Sequence, residues 1–233
     1  AEHSVEALKD LLARHSLTAP VAAYQGGLFA SDGEAQREHR RHFERRLALL
    51  RELGVGVLVV AGDLPPVLAQ ADFDRAAASL AEAARAAGDA GVRLAFEFQC
   101  RAGFANNLQT AAEWIAHVDS PHLGLCLDAF HYYCGPSKEE DLALLSKENL
   151  FHVQLCDLVG TPRESATDGD RILPGDGDFR LAPIVEHLRR IEYAGPVSVE
   201  LMNPQIWRIP PRQFGEIGLT ALRKVLGLAS MGE

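Results

Sequence analysis

Six short apolar runs, at 21–24, 57–61, 92–99, 123–128, 151–157 and 197–202, alternate with stretches of helical period along the 233-residue chain. No other feature constrains the fold as much. Strands separated by helices run parallel, because each helix returns the chain to the start of the next strand. The helical stretch from about 34 to 53 stops at Gly54, and the Ala-rich one from about 73 to 90 begins behind Asp72 and stops at Gly91. A residue free to take positive φ closes a helix well. No linker or low-complexity segment interrupts the pattern, so residues 1–233 read as a single β/α barrel domain, a length one core can serve.

A parallel sheet can stay open and doubly wound, or curl into a barrel. The later runs favour the barrel. Each places polar residues at its C-terminal end: Glu97 and Gln99, then Asp128, then Gln154 and Asp157, then Glu200. Strand alternation sets Ala95, Glu97 and Gln99 on one face and Phe96 and Phe98 on the other. Several strand ends converging on one point is what the mouth of a TIM (β/α)8-type barrel provides. Yet six runs are two short of eight, and the chain opens on a helix, at about 4–17. The first strand–helix–strand portion is therefore expected to be missing. Unpaired sheet edges are a liability, so the gap should be covered by a partner chain, as in a homo-oligomer, or by the opening segment.

Glu97 lies in Leu94-Ala-Phe-Glu-Phe-Gln, between two phenylalanines. A buried, unpaired carboxylate there is costly, so it is either salt-bridged or functional. Asp128 closes an apolar strand, where it could also cap a helix, and Glu200 closes Val197-Ser-Val-Glu. Three acids at equivalent strand ends need a cation. His152 and Gln154 share one strand face. Gln154 is favoured as the fourth ligand because it lies level with the others, which leaves His152 as a core histidine one layer deeper. Glu97, Asp128, Gln154 and Glu200 form an all-oxygen set that suits Mg²⁺ or Mn²⁺ better than Zn²⁺. His131, three residues after Asp128, is either a surface histidine or a donor to a substrate oxygen. Arg171, in Asp170-Arg-Ile-Leu-Pro-Gly-Asp-Gly, is either solvated or a clamp for a hydroxyl, carboxylate or phosphate.

The net charge of −9 opposes nucleic-acid binding, which relies on basic patches. No run approaches the roughly 20 apolar residues of a membrane helix. The four cysteines form no C-x-x-C pair, so they read as free thiols in a reducing cytoplasm. A sugar-like small molecule is the expected partner, with neither nucleic acid nor membrane.

The segments Phe96-Glu-Phe, Gly124-Leu-Cys-Leu-Asp-Ala-Phe-His, Phe151-His-Val-Gln-Leu-Cys-Asp, Arg171-Ile-Leu-Pro-Gly-Asp-Gly and Val197-Ser-Val-Glu-Leu-Met-Asn-Pro resemble, in order, those of the xylose isomerase-like barrel superfamily of sugar phosphate isomerases and epimerases. The likeness covers roughly residues 50–226. It implies a metal held by Glu97, Asp128, Gln154 and Glu200, and substrate contacts from His131 and Arg171. Many members carry His where this chain has Gln154; others, similar to hydroxypyruvate isomerases, carry Gln. The expected activity is metal-dependent isomerisation or epimerisation by proton transfer next to a carbonyl, with Glu97 and Glu200 as acid and base. The alternatives are a lyase resembling dehydroshikimate or inosose dehydratases, and a non-catalytic barrel subunit. Resemblance to the superfamily's zinc-dependent DNA-repair endonucleases fails at the extra histidines, since Val59-Val-Ala-Gly-Asp offers none and Arg171 and Ile172 stand where another ligand would be wanted.

Overall fold

The computed structural model describes residues 4–29, 33–62, 64 and 69–228. Six strands, β1 (Val21–Gln25), β2 (Val57–Ala61), β3 (Arg93–Glu97), β4 (Leu123–Asp128), β5 (Leu150–Leu155) and β6 (Val197–Val199), form one sheet in chain order. Every neighbouring pair is parallel. The long helices are α1 (Val5–Arg14), α2 (Gly33–Leu53), α3 (Gln70–Asp89), α4 (Leu108–Val118), α6 (Leu181–Arg190) and α7 (Pro211–Leu226), with a short α5 (Ala129–Cys134) directly after β4. The sheet is a curled half-barrel: β1 and β6 are its two edges and do not pair with each other.

The opening helix packs chiefly on its neighbour and not on the edge strand β6. Ser4 Oγ caps it by accepting from Ala7 N at 3.2 Å, and its main packing partner is α2. No residue of α1 is buried, and the edge strand β6 stays half-buried along its length.

Strand alternation separates two apolar layers. Leu58, Val60, Leu94, Phe96, Leu125, Leu127, Val153 and Leu155 face the helices in the main core. Val57, Val59, Ala95, Cys126 and Phe151 fill the concave side below the mouth. Phe151 reaches the concave side at a register irregularity, where Leu125 pairs with Leu150 but Cys126 pairs with His152. Gly124 makes room for it: a Cβ there would lie 2.7 Å from the Phe151 ring. The Arg93 guanidinium lies over the same ring, 4.3 Å from its centre.

Helix α3 begins a turn earlier than its sequence pattern predicts, at Gln70. Asp72 sits inside the first turn and reaches back to accept from Ala69 N at 3.0 Å. An acid at this position satisfies a free N–H at the helix start, so Asp72 marks the third helical residue and not the residue before the helix.

Candidate active site

Glu97 is the last residue of β3 and Asp128 the last of β4. Both are buried, at 5% and 0% exposed. The ladder sets Glu97 beside Cys126, Asp128 beside Gln154, and Gln154 beside Ser198. Glu200 lies just past the end of β6, so the strand stops short of the predicted residue 202. The strand ends thus bring Glu97, Asp128 and Glu200 near one another, with Gln154 on the strand beside Asp128.

Asp128 does two things at once. Its Oδ1 caps α5 by accepting from Phe130 N at 2.7 Å, and its Oδ2 accepts from Arg171 Nη1 at 2.8 Å. The same Nη1 donates to Glu200 Oε2 at 3.1 Å. The other edge of the guanidinium, Nε and Nη2, donates to Asp168 Oδ1 at 2.9 and 2.7 Å. Its plane lies over the Phe130 ring, 4.5 Å from the centre. Arg171 is only 2% exposed, so it is no solvated loop residue, and its donors turn toward the protein's own acids.

Gln154 Oε1 accepts from the Cys126 thiol at 2.9 Å. His152 lies one layer deeper, with Nδ1 3.1 Å from the Pro196 carbonyl and Nε2 3.0 Å from Ser198 Oγ. Both of its nitrogens are engaged there. Asp157, the other polar residue of that strand end, faces away from the mouth. It accepts from Leu158 N, Gly175 N and Phe179 N at 2.9 to 3.0 Å and pins the Gly-rich loop.

Burial and the charge of Asp128 push the Glu97 carboxyl up to about 8, and the same causes push Glu200 up to about 9. Burial also opposes ionisation of Asp128, but Arg171 and His131 hold it below the usual carboxylate range. Burial lowers the proton affinity of His131, partly offset by Asp128. Glu97, Asp128 and Glu200 therefore meet around one guanidinium, with Asp128 ionised against Arg171 and the two glutamates holding protons that a divalent cation would displace. Glu97, Asp128 and His131 offer ligand atoms all within 4.8 Å of one another. Glu200 stands outside that trio, against Asp128 and Arg171. The acid-rich donor set fits a divalent ion.

Above these residues opens a cleft of about 690 Å³, walled by Tyr24, Cys100, Arg101, Thr167 and Met202. Arg101 ties two loops across it, donating to the Glu164 and Ala166 carbonyls at 3.0 and 2.7 Å. Sequence reasoning missed Asp168 and Cys126. Asp168 precedes Arg171 by three residues, and Cys126 precedes Asp128 by two on the same strand face. Both spacings were available signals.

Comparison with known proteins agrees with this architecture. A family model described as xylose isomerase-like TIM barrel matches residues 1–224. An inosose isomerase of Halalkalibacterium halodurans is 32% identical over 123 residues, covering 51% of this chain and 43% of that protein. A 3-dehydroshikimate dehydratase of Pseudomonas aeruginosa is 30% identical over 183 residues, covering 77% of this chain and 28% of that protein. The chain thus spans less than half the length of these curated relatives. A crystal structure of the IOLI protein with a bound zinc atom superposes with a TM-score of 0.88 at 22% identity, covering 97% of this chain and 82% of that one. Among the described residues, no helix is long and apolar enough to cross a membrane.

Proposed function

The chain belongs to the xylose isomerase-like TIM barrel family, and from that premise we propose that it is a divalent-metal-dependent isomerase or epimerase. It acts by proton transfer next to the carbonyl of a sugar- or polyol-derived hydroxy ketone or aldehyde. The observation that carries this reading is the convergence of buried Asp128 and of Glu200 on Arg171, with Glu97 alongside, beneath a cleft lined by Glu97, Arg171 and Glu200.

The residues to hold the ion are Glu97, Asp128 and Glu200, with Gln154 as the fourth. When bound, a divalent ion supplies Lewis-acid polarisation of the substrate's carbonyl and hydroxyl oxygens. Hard oxygen donors favour Mn²⁺ or Mg²⁺; the zinc of the structural relative belongs to that protein.

Glu97 and Glu200 approach the reacting carbon from different strands. One carboxylate takes the proton from the carbon beside the carbonyl, leaving an enediolate, and a carboxyl returns it. Return to the opposite face gives an epimer; return to the neighbouring carbon gives an isomer. Without an ion both glutamates hold a proton more tightly than an ordinary carboxyl; a bound divalent ion would favour the carboxylate form that takes a proton from carbon. Arg171 keeps Asp128 and Glu200 in register, and His131 donates to a substrate oxygen.

The similarity to a 3-dehydroshikimate dehydratase supports a second reading. The same enediolate can expel a β-hydroxyl, which leaves as water with a proton from a carboxyl. Incubation with a panel of ketoses and inososes plus Mn²⁺, Mg²⁺ or Zn²⁺, read by mass and NMR, separates the two. An unchanged mass with altered connectivity or stereochemistry supports the isomerase, and loss of water supports the dehydratase. No conversion of any member by the metal-loaded chain would contradict both.

A further inference from the structure

Among the described residues two arginines line the cleft, Arg101 and Arg171. Arg171 is spent on the protein itself. Its Nε and Nη2 serve Asp168, and its Nη1 serves Asp128 and Glu200. A carboxylate or phosphate entering the cleft would find those donors already engaged. Arg101, in the loop leaving β3 just after Glu97, is differently placed.

The Nη2 of Arg101 donates to the Glu164 and Ala166 carbonyls at 3.0 and 2.7 Å. Among the described residues its Nε and Nη1 have no partner, and no carboxylate pairs with it. A guanidinium donates from all its nitrogens and accepts at none, so the N–H groups on Nε and Nη1 remain to donate. Asp168 lines the same cleft, but its Oδ1 already serves Arg171.

The two carbonyls belong to the loop after β5, and they hold the Arg101 guanidinium against the cleft wall before any ligand arrives. A donor fixed in advance loses less freedom on binding, and the planar fork of an arginine matches the oxygens of a carboxylate or phosphate. The floor has the opposite character. It offers an anionic group only acids and an arginine already paired with them. A molecule with a neutral polar end and an anionic end therefore has one favourable orientation, with the anion at Arg101. The cleft, at about 690 Å³, has room for both ends of a small molecule.

We propose that the cleft takes a hydroxy ketone or aldehyde that carries a carboxylate or phosphate, and that Arg101 holds this anionic group and so sets specificity. Arg171, which the sequence offers as the clamp for such a group, organises the acids of the floor instead. The hydroxy ketone or aldehyde end rests on the function proposed above; the anion site does not.

The test is calorimetric titration of the Mn²⁺-loaded chain with D-glucose, its terminal phosphate ester and D-glucuronate, in wild type, Arg101→Lys and Arg101→Met. At least one anionic sugar is expected to bind wild type about ten-fold or more tightly than glucose, and which one does so tells phosphate from carboxylate. Arg101→Met is expected to erase that preference, and Arg101→Lys to keep part of it. The ratio of anionic to neutral affinity is the reading, because a loosened loop would weaken every sugar alike. No preference in wild type, or a preference that survives in Arg101→Met, would overturn the proposal. A preference lost with Arg101 in a chain that exchanges no hydrogen beside a carbonyl would count against the proposed function alone.

Discussion

Arg171 Nη1 donates to Asp128 Oδ2 at 2.8 Å, across 43 residues of chain, with both side chains out of solvent. Asp128 also caps α5, so this one pair joins the acid cluster to the local fold. Removing one partner of a buried pair leaves the other charge uncompensated. Arg171→Met is expected to lower stability by about 3–5 kcal/mol in denaturant unfolding, with part of the loss restored by Mn²⁺. A change within the range usual for a surface substitution would mean that the guanidinium is not the counter-charge of the cluster.

The acid cluster also sets a pH dependence. Glu97 and Glu200 hold protons more tightly folded than unfolded, at about 8 and about 9 against an ordinary 4.5. A raised carboxyl stabilises the fold fully below the unfolded value, and that contribution is lost as pH rises through the folded value. Histidines are largely neutral above pH about 7, and thiols largely protonated below about 8.5. In that window the two glutamates dominate. Chelator-treated protein should therefore lose melting temperature from pH 7 to 8.5, and added Mn²⁺ should raise it more at the upper end. Equal metal-induced shifts across the window would contradict this reading.

In the proposed site Gln154 is the fourth oxygen donor. Gln154→His puts an imidazole nitrogen beside Glu97 and Asp128, and imidazole suits zinc. Competition titrations should show zinc affinity rising relative to manganese. Unchanged relative affinities would place residue 154 outside the metal shell, consistent with an amide that stays turned to Cys126.

Asp157 stands at the same strand end but serves the loop. Its carboxylate accepts three backbone N–H groups, from Leu158, Gly175 and Phe179. Asp157→Ala should cost about 3 kcal/mol or more, since each hydrogen bond to a charged group contributes about 1.5–3 kcal/mol. Hydrogen exchange should speed up at Gly175 and Phe179. Protection at those amides equal to wild type would show that the loop is held by other contacts.

Much of this site is legible in the sequence, because period two and strand-end placement are local signals. β2 and β4 match the predicted runs residue for residue. The acids fall at strand ends because a carboxylate deeper in these buried strands would lack partners, whereas His152 finds them at Pro196 and Ser198. What the sequence hides is pairing at a distance. Nothing local says that Arg171 turns to Asp128 and Glu200 and not to solvent, or that Cys126 engages Gln154, 28 residues on. The early stop of β6 is equally invisible, since it depends on where β5 ends, and Leu201 instead gives its carbonyl to Trp207 Nε1 at 2.8 Å. The two exposed sheet edges follow from counting strands. Which segment covers them does not, and α1 lies against α2.

Proton transfer at Glu97 and Glu200 is the central claim, and deuterium uptake tests it most directly. Candidate ketoses and inososes are incubated in heavy water with metal-loaded wild type, Glu97→Gln and Glu200→Gln, and ¹H NMR follows the hydrogen on the carbon beside the carbonyl. Wild type should exchange that hydrogen in at least one candidate, and both variants should lose the exchange while retaining the fold by circular dichroism. Exchange at wild-type rates in both variants, or metal binding with no exchange in any candidate, would contradict the account.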